Sequence, residues 1–476
     1  MKILIKNGIV ITSAASISQD ILIDGSLIIA VKENISPDGV DQVVDAQGLY
    51  VMPGGIDVHT HLALPMFDTI SSDDHYTGHK AAAFGGTTTV LDFIAHDDHD
   101  LLPNVERWHQ KAASLAALDY SFHMNLTHFD KRIFEQLPLL VNEGITSVKM
   151  FTAYNDRLRL DDAEIFQLMR ASASLGLLPM LHAENGDVIE LLVQEALAAG
   201  HVEPVWHART RPAWGAVEAA FRGVSLAAQA GAPLYLVHMN TAGEMDVLRY
   251  AKQKGLVIFG ETCPPYLFFT EQDLQRPDGA KWICSPPMRT PEDNAGIWQA
   301  LTDNVIDTIG TDHCPFFYDG TQPIIYEGEP VKIPGKELGA NDFTKIPNGL
   351  PGVGDRLPVF WTEGVGKGRL TAQQFVAMTS TTPARIFGMY PRKGAIQPGS
   401  DADLVLWDPE KTVDYGVKIA HHRTDYNLYE GWQLTGYPVK VYSRGELIVD
   451  GERWYGKPGR GEFLHRPPFS LTDITE

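Results

Sequence analysis

The chain has 476 residues, 44% hydrophobic and 21% charged, the make-up of a globular protein with room for two or three domains. Its 39 Lys and Arg against 60 Asp and Glu leave a net charge of −21, which repels phosphate backbones and anionic lipid and so argues against nucleic-acid and membrane partners. Cys263, Cys284 and Cys314 are too few and too widely spaced for a disulfide framework or a thiolate zinc site; MKILIKNGIVIT has no apolar leader and no run approaches ~18 apolar residues, so the expected location is the cytoplasm.

Residues 1–50 read as short strands, with ILIKNGIVI and DILIDGSLIIAV punctuated by Asn-Gly and Asp-Gly turn signals. From there apolar runs at 51–58, 86–95, 119–126, 145–151, 177–182, 233–238, 256–261 and 305–311 alternate with helical patterns such as 103–118, 161–175, 186–200, 213–230 and 241–254. Eight strand–helix repeats predict a parallel sheet closed as a (β/α)8 TIM barrel. The stretch 318–336 lengthens the loop after the eighth strand and reads as a surface excursion or hairpin on the active-site side. The segments 401–408 and 439–451 return to strand character, the latter broken at Arg444-Gly445. The expected organisation is an α/β chain with a TIM barrel at 53–389 and a small β-sandwich domain formed by 1–52 plus 390–476.

The chemistry gathers where the strands end. His59 and His61 share one face of the first strand, because side chains alternate with period two. Lys149 lies near the end of the fourth strand, His182 closes the fifth, His238 the sixth and Asp312 the eighth. In a TIM barrel these ends converge on one face, where active sites form, and imidazoles with carboxylates there are metal-ligand chemistry. His75, His79, His96, His99, His109, His421 and His422 have no ligand partner in register, and His123, His128 and His313 sit near strand ends without a firm role.

PGGIDVHTH (53–61), AAAFGGTTTVLDF (81–93), ITSVKMFTAY (145–154), HAENGDVI (182–189), GETCPPYL (260–267), CSPPMR (284–289), TDHCPF (311–316), DFTKIPNGLPGV (342–353) and GSDADLVLWDP (399–409) together resemble the dihydropyrimidinase and D-hydantoinase family of the amidohydrolase superfamily. The resemblance runs over nearly the whole chain. It implies hydrolysis of a cyclic amide by water activated between two divalent metal ions, with His59, His61 and Asp312 on the more buried ion and His182 and His238 on the other. It implies that Lys149 is N-carboxylated and bridges both ions. A lysine ammonium, with a pKa of ~10.4, has the wrong sign beside two dications, whereas its carbamate brings a negative charge and two oxygens; the alternative is a lysine that binds an anionic substrate. Nitrogen and oxygen ligands suit Zn2+, and Mn2+ or Co2+ would also fit. Asp312 is further implied as proton shuttle and Tyr154 as hydrogen-bond donor to the developing oxyanion. Main-chain groups at Ser285 and Asn348 are implied to hold the ring amide, though both stretches also make ordinary turns. The resemblance also implies a homotetramer and a small-molecule partner.

Substrate choice is read from the loop after the second histidine, Leu62-Ala63-Leu64-Pro65-Met66-Phe67. The similar dihydroorotases carry a carboxylate-binding arginine at the position of Ala63, so a carboxylated ring lacks its counter-ion here. Leu64, Met66 and Phe67 suit the polar ureido group of allantoin poorly and an apolar ring substituent better; the resemblance implies that this loop, with the one around Phe151, contacts that substituent, and the alternative is that these residues only cover the barrel mouth. Allantoinase, or another cyclic-ureide amidohydrolase, is the alternative enzyme. A non-catalytic assembly homologue is the alternative of a different class, and the complete ligand set argues against it.

Overall fold

The computed structural model describes residues 1–66, 68–319, 323–326 and 328–472. Eight parallel strands follow one another around a barrel: β1 (Gly55–Thr60), β2 (Thr87–Ile94), β3 (Asp119–Asn125), β4 (Ser147–Phe151), β5 (Leu178–His182), β6 (Leu234–Leu236), β7 (Ile258–Thr262) and β8 (Thr308–Ile309). β1, β2, β3, β4, β5 and β7 are buried along their whole length, as strands sheathed by helices must be. The seam closes beyond β8: Thr60 bridges His313, and the His61 N–H donates to the His313 carbonyl at 2.8 Å. The outer helices carry their own start signals. The helices Asp162–Leu175 and Ala242–Gln253 open with reciprocal capping boxes, Asp161 with Glu164 and Thr241 with Glu244.

The expected strand 51–58 is in fact two. Tyr50–Pro53 belongs to a seven-stranded sheet and β1 to the barrel, and the chain crosses between them at Gly54. There the Gly54 N–H donates to the Asp403 carbonyl and the Gly55 N–H to the Gly86 carbonyl, each at 2.9 Å. A Cβ on Gly54 would lie 2.0 Å from Thr88 Oγ1, so the crossing admits only glycine.

The seven-stranded sheet joins N-terminal strands (Ile9–Ile11, Ser16–Ser18, Tyr50–Pro53) to C-terminal ones (Leu404–Asp414, Gln433–Ser443, Glu446–Asp450, Arg453–Trp454). A four-stranded sheet of Leu27–Lys32, Asp20–Asp24, Lys2–Lys6 and Gln42–Asp45 shares an apolar core with it, including Ile3, Ile21, Val51, Leu404 and Tyr442. This β-rich unit is fastened to the barrel by buried Lys393, whose Nζ lies 2.6 Å from Asp119 of β3, 2.9 Å from Asp401 and 2.7 Å from Asp403. The stretch after β8 folds back as an antiparallel pair, Pro323–Tyr326 with Glu329–Lys332, and Ile324 and Ile333 pack with Phe317 and Ile70. Among the described residues no helix is long and apolar enough to cross a membrane, and the cysteines are free and buried.

Candidate active site

β1 delivers His59 and His61 to the C-terminal mouth of the barrel, and the turn after β8 delivers Asp312 against them. Asp312 Oδ1 lies 3.2 Å from His59 Nε2 and 3.0 Å from His61 Nε2. Ligand-type atoms of all three lie within 4.8 Å of one another, and His59 Nε2 has no well-directed hydrogen bond despite full burial. Facing them, His182 from the end of β5 and His238 from just beyond β6 bring Nδ1 and Nε2 to 3.1 Å. The rings of His59 and His238 are 5.4 Å apart, so the two groups form one cluster.

The electrostatics favour the neutral imidazoles that ligation requires. Burial, then the nearby Lys149 charge, holds His59 and His238 well below the usual histidine range. Asp312 goes the other way: burial opposes ionisation, but the His59 and His61 imidazoles and Lys149 hold its carboxyl down at about 2.

Lys149 is 1% exposed, and its Nζ sits 4.8 Å from the centre of the Phe93 ring and 5.3 Å from that of Phe151. Burial pushes the amine down to about 8, against the pull of Asp312 and Glu261. At that value the amine readily gives up its proton and becomes the neutral, nucleophilic form of lysine.

Glu261 went unassigned in the sequence although it stands inside the GETCPPYL motif. Its Oε1 is 2.6 Å from His59 Nδ1 and accepts the His238 backbone N–H at 3.0 Å, and its Oε2 accepts from Tyr235 Oη at 2.9 Å. One carboxylate therefore meets both groups: it touches the His59 ring, the contact that fixes tautomer and ring angle in metal sites, and it holds the His238 backbone. Glu184 touches the His182 ring in the same way, with Oε2 at 2.8 Å from Nε2. Glu184 also went unassigned; its period-two spacing from His182 could have found it, and the place of Glu261 at the end of the 256–261 run could have found that residue, although its partner is 202 residues away.

The backbone is strained at the same mouth. His238 (φ 39°), Asp312 (φ 51°), Tyr154 (φ 66°) and Ala63 (φ 47°) all occupy the left-handed region, which costs a non-glycine residue ~1–3 kcal/mol and recurs at functional sites.

A cavity of about 310 Å³ opens over the cluster. Lys149, His61, His182, His238 and Asp312 line its floor, Tyr154, Ser285 and Asn348 one side, and Leu64, Met66, Phe151 and Leu158 its apolar wall. Tyr154 is held by its own carbonyl, which accepts the N–H groups of Arg157 and Leu158, and its hydroxyl meets the Ser285 side chain. Burial pushes the phenol up, so it stays a donor. Ser285 Oγ is also 3.2 Å from His207 Nε2. Phe67 lies outside the described residues. Of the other histidines, His313 is buried, with Nδ1 accepting the Gly352 N–H and Nε2 3.2 Å from Asp73; His123 is buried between Val58 and Ser147.

The amidohydrolase family pattern matches residues 50–448. The chain is 42% identical over 470 residues to the D-hydantoinase of Geobacillus stearothermophilus, covering 98% of this chain and 97% of that one. It is 40% identical over 469 residues to the D-hydantoinase of Streptomyces coelicolor, covering 97% of each. Among solved structures, the dihydropyrimidinase from Brevibacillus agri NCHU1002 superposes with a TM-score of 0.94 at 42% identity, over 99% of this chain and 100% of that one.

Proposed function

The chain belongs to the amidohydrolase family, and from that membership we propose that it opens the ring amide of 5-substituted hydantoins and dihydropyrimidines. The observation that carries the reading is the convergence of His59, His61, His182, His238, Asp312 and Lys149 beneath one cavity. His59, His61 and Asp312 would hold one divalent ion and His182 and His238 a second, with Lys149, as N6-carboxylysine, joining the two. The buried, unpaired imidazole nitrogens fit such ions, and Zn2+ suits the donor set best. The chemistry the pair supplies when bound is polarisation of a carbonyl and a lowered pKa for water.

The chain's own residues do the rest. Asp312 takes the proton of the attacking water and passes it to the ring nitrogen that leaves. Tyr154, kept protonated by burial, donates to the carbonyl oxygen as it gains charge. The main chain at Ser285 and Asn348 holds the ring amide, and Leu64 and Phe151 face the exocyclic substituent. Within this reading 53–389 is the catalytic domain and 1–52 plus 390–476 its support. The protein works in the cytoplasm as a homotetramer; exposed Leu191 (56%) and Trp214 (80%) are side chains that a contact between copies would cover.

A turnover panel of hydantoin, 5-substituted hydantoins, dihydrouracil, allantoin and dihydroorotate tests the reading. A preferred hydantoin or dihydrouracil should exceed dihydroorotate in kcat/KM by at least ~100-fold, about 2.7 kcal/mol of transition-state discrimination. Ala63 and the apolar wall are the reason; comparable turnover of dihydroorotate refutes it.

A further inference from the structure

Lys336 lies at the end of the excursion after β8 and is 1% exposed. Its Nζ donates to the Ile283 carbonyl and to the Pro347 carbonyl, both at 3.0 Å. Those two carbonyls belong to different segments. Ile283 stands two residues before Ser285, and Pro347 directly precedes Asn348, the two positions assigned above to the ring amide. The segments touch once more, where the Gly349 N–H donates to the Ile283 carbonyl at 3.1 Å. From the other side, His207 Nε2 lies 2.8 Å from the Cys284 carbonyl.

We infer that Lys336 is a positioning residue for substrate: its amine clamps the 283–285 and 347–349 segments at the spacing that the ring amide must bridge. The inference rests on the function proposed above. A lysine suits the task because its slender stem reaches through the core and presents more than one donor from a single atom. The groups facing it are the Cys284 and Cys314 thiols and the His207 ring, and burial pushes the amine down to about 7. The clamp survives loss of that proton, since a neutral amine still has two N–H groups for two carbonyls. Without the amine, the Pro347 carbonyl loses this buried donor, and the two segments keep the Gly349–Ile283 bond but lose the second tether that fixes their spacing. A clamp of this kind serves ground state and transition state alike, so its loss raises KM more than it lowers kcat.

The test uses metal-loaded enzyme and compares Lys336→Met and Lys336→Gln with the parent. Lys336→Met should raise KM for the best cyclic amide roughly 10-fold while kcat stays within about 3-fold and metal content is unchanged. Lys336→Gln, whose amide offers two N–H donors on a shorter stem, should show the same split at smaller size. Lys393→Met, remote from the cavity, should lower stability without moving KM, which separates positioning from general loosening. A folded, metal-replete Lys336→Met with parental KM overturns the inference, as does a fall in kcat at unchanged KM; if that variant does not fold, Lys336→Gln is judged by the same criteria. A parent that turns over no cyclic amide defeats the proposed function and this inference with it, whereas an active parent with indifferent variants defeats this inference alone.

Discussion

Glu261 and His59 meet at 2.6 Å at the floor of the barrel, and the oxygen that touches His59 Nδ1 also accepts the backbone N–H of His238. A single carboxylate from β7 thus sets the angle of the imidazole presented by β1 and anchors the backbone of the turn after β6 that carries His238. Burial raises its pKa to about 7, against the pull of Lys149.

Glu261→Gln preserves the shape of this contact and removes its charge. The variant should fold and should lose metal affinity by about 10–100-fold, the usual cost of disturbing a ligand's outer partner. Competition with a chelator, followed by elemental analysis, measures it. Unchanged affinity would show that packing alone holds His59 in place.

Lys149 separates two chemistries. Lys149→Ala should lose at least one metal and most activity while staying folded, because the bridging oxygens and their negative charge are gone and the dications repel at short range. Lys149→Arg should fail as well, since a guanidinium stays cationic and offers no lone pair to an ion. A short carboxylic acid added to Lys149→Ala should restore part of the rate. Full metal occupancy with near-normal kcat in Lys149→Arg would falsify the carbamate.

Tyr154→Phe removes one hydroxyl from a ring whose backbone is already fixed by the 154–158 turn. Loss of a donor that acts on the developing oxyanion costs about 10²–10³ in kcat. KM should move little. The stopped-time rate at saturating substrate decides the matter, and a KM effect with intact kcat would reassign Tyr154 to ground-state binding.

Lys393→Met leaves the carboxylates of Asp119, Asp401 and Asp403 buried around an apolar tip. Breaking a buried ion cluster by removing one partner costs roughly 3–5 kcal/mol. Denaturant unfolding of the metal-loaded protein should show that loss, and a change below about 1 kcal/mol would mean that Arg444, 3.1 Å from Asp119, compensates.

The barrel was legible because most strands are apolar runs and some of the helices between them announce their start, as at Asp161 and Thr241. The candidate ligands were legible because they stand where those strands end. Other features were hidden for physical reasons. The run 51–58 is apolar and β-prone on both sides of Gly54, so nothing in its pattern shows that it serves two sheets. The helix Lys131–Asn142 contains Pro138 and was absent from the sequence reading. The left-handed backbones of His238 and Asp312 occur at residues that do not ordinarily need them, and only tertiary contacts impose them. Glu261 closes the run 256–261, but its partner His59 is 202 residues away, and Lys336 joins Pro347 to Ile283, 53 residues away, so neither role shows in local periodicity.

The crossing at Gly54 has an architectural consequence. Pro53 ends a strand of the β-rich unit, and Gly55 begins the strand that carries His59 and His61. The outer unit is therefore no detachable module. Trimming it, or exchanging it for a relative's, would re-anchor the first catalytic strand at its root and shift the two histidines relative to Asp312 across the seam. Recombination between homologues should tolerate junctions in the outer helices far better than junctions at this doublet of glycines.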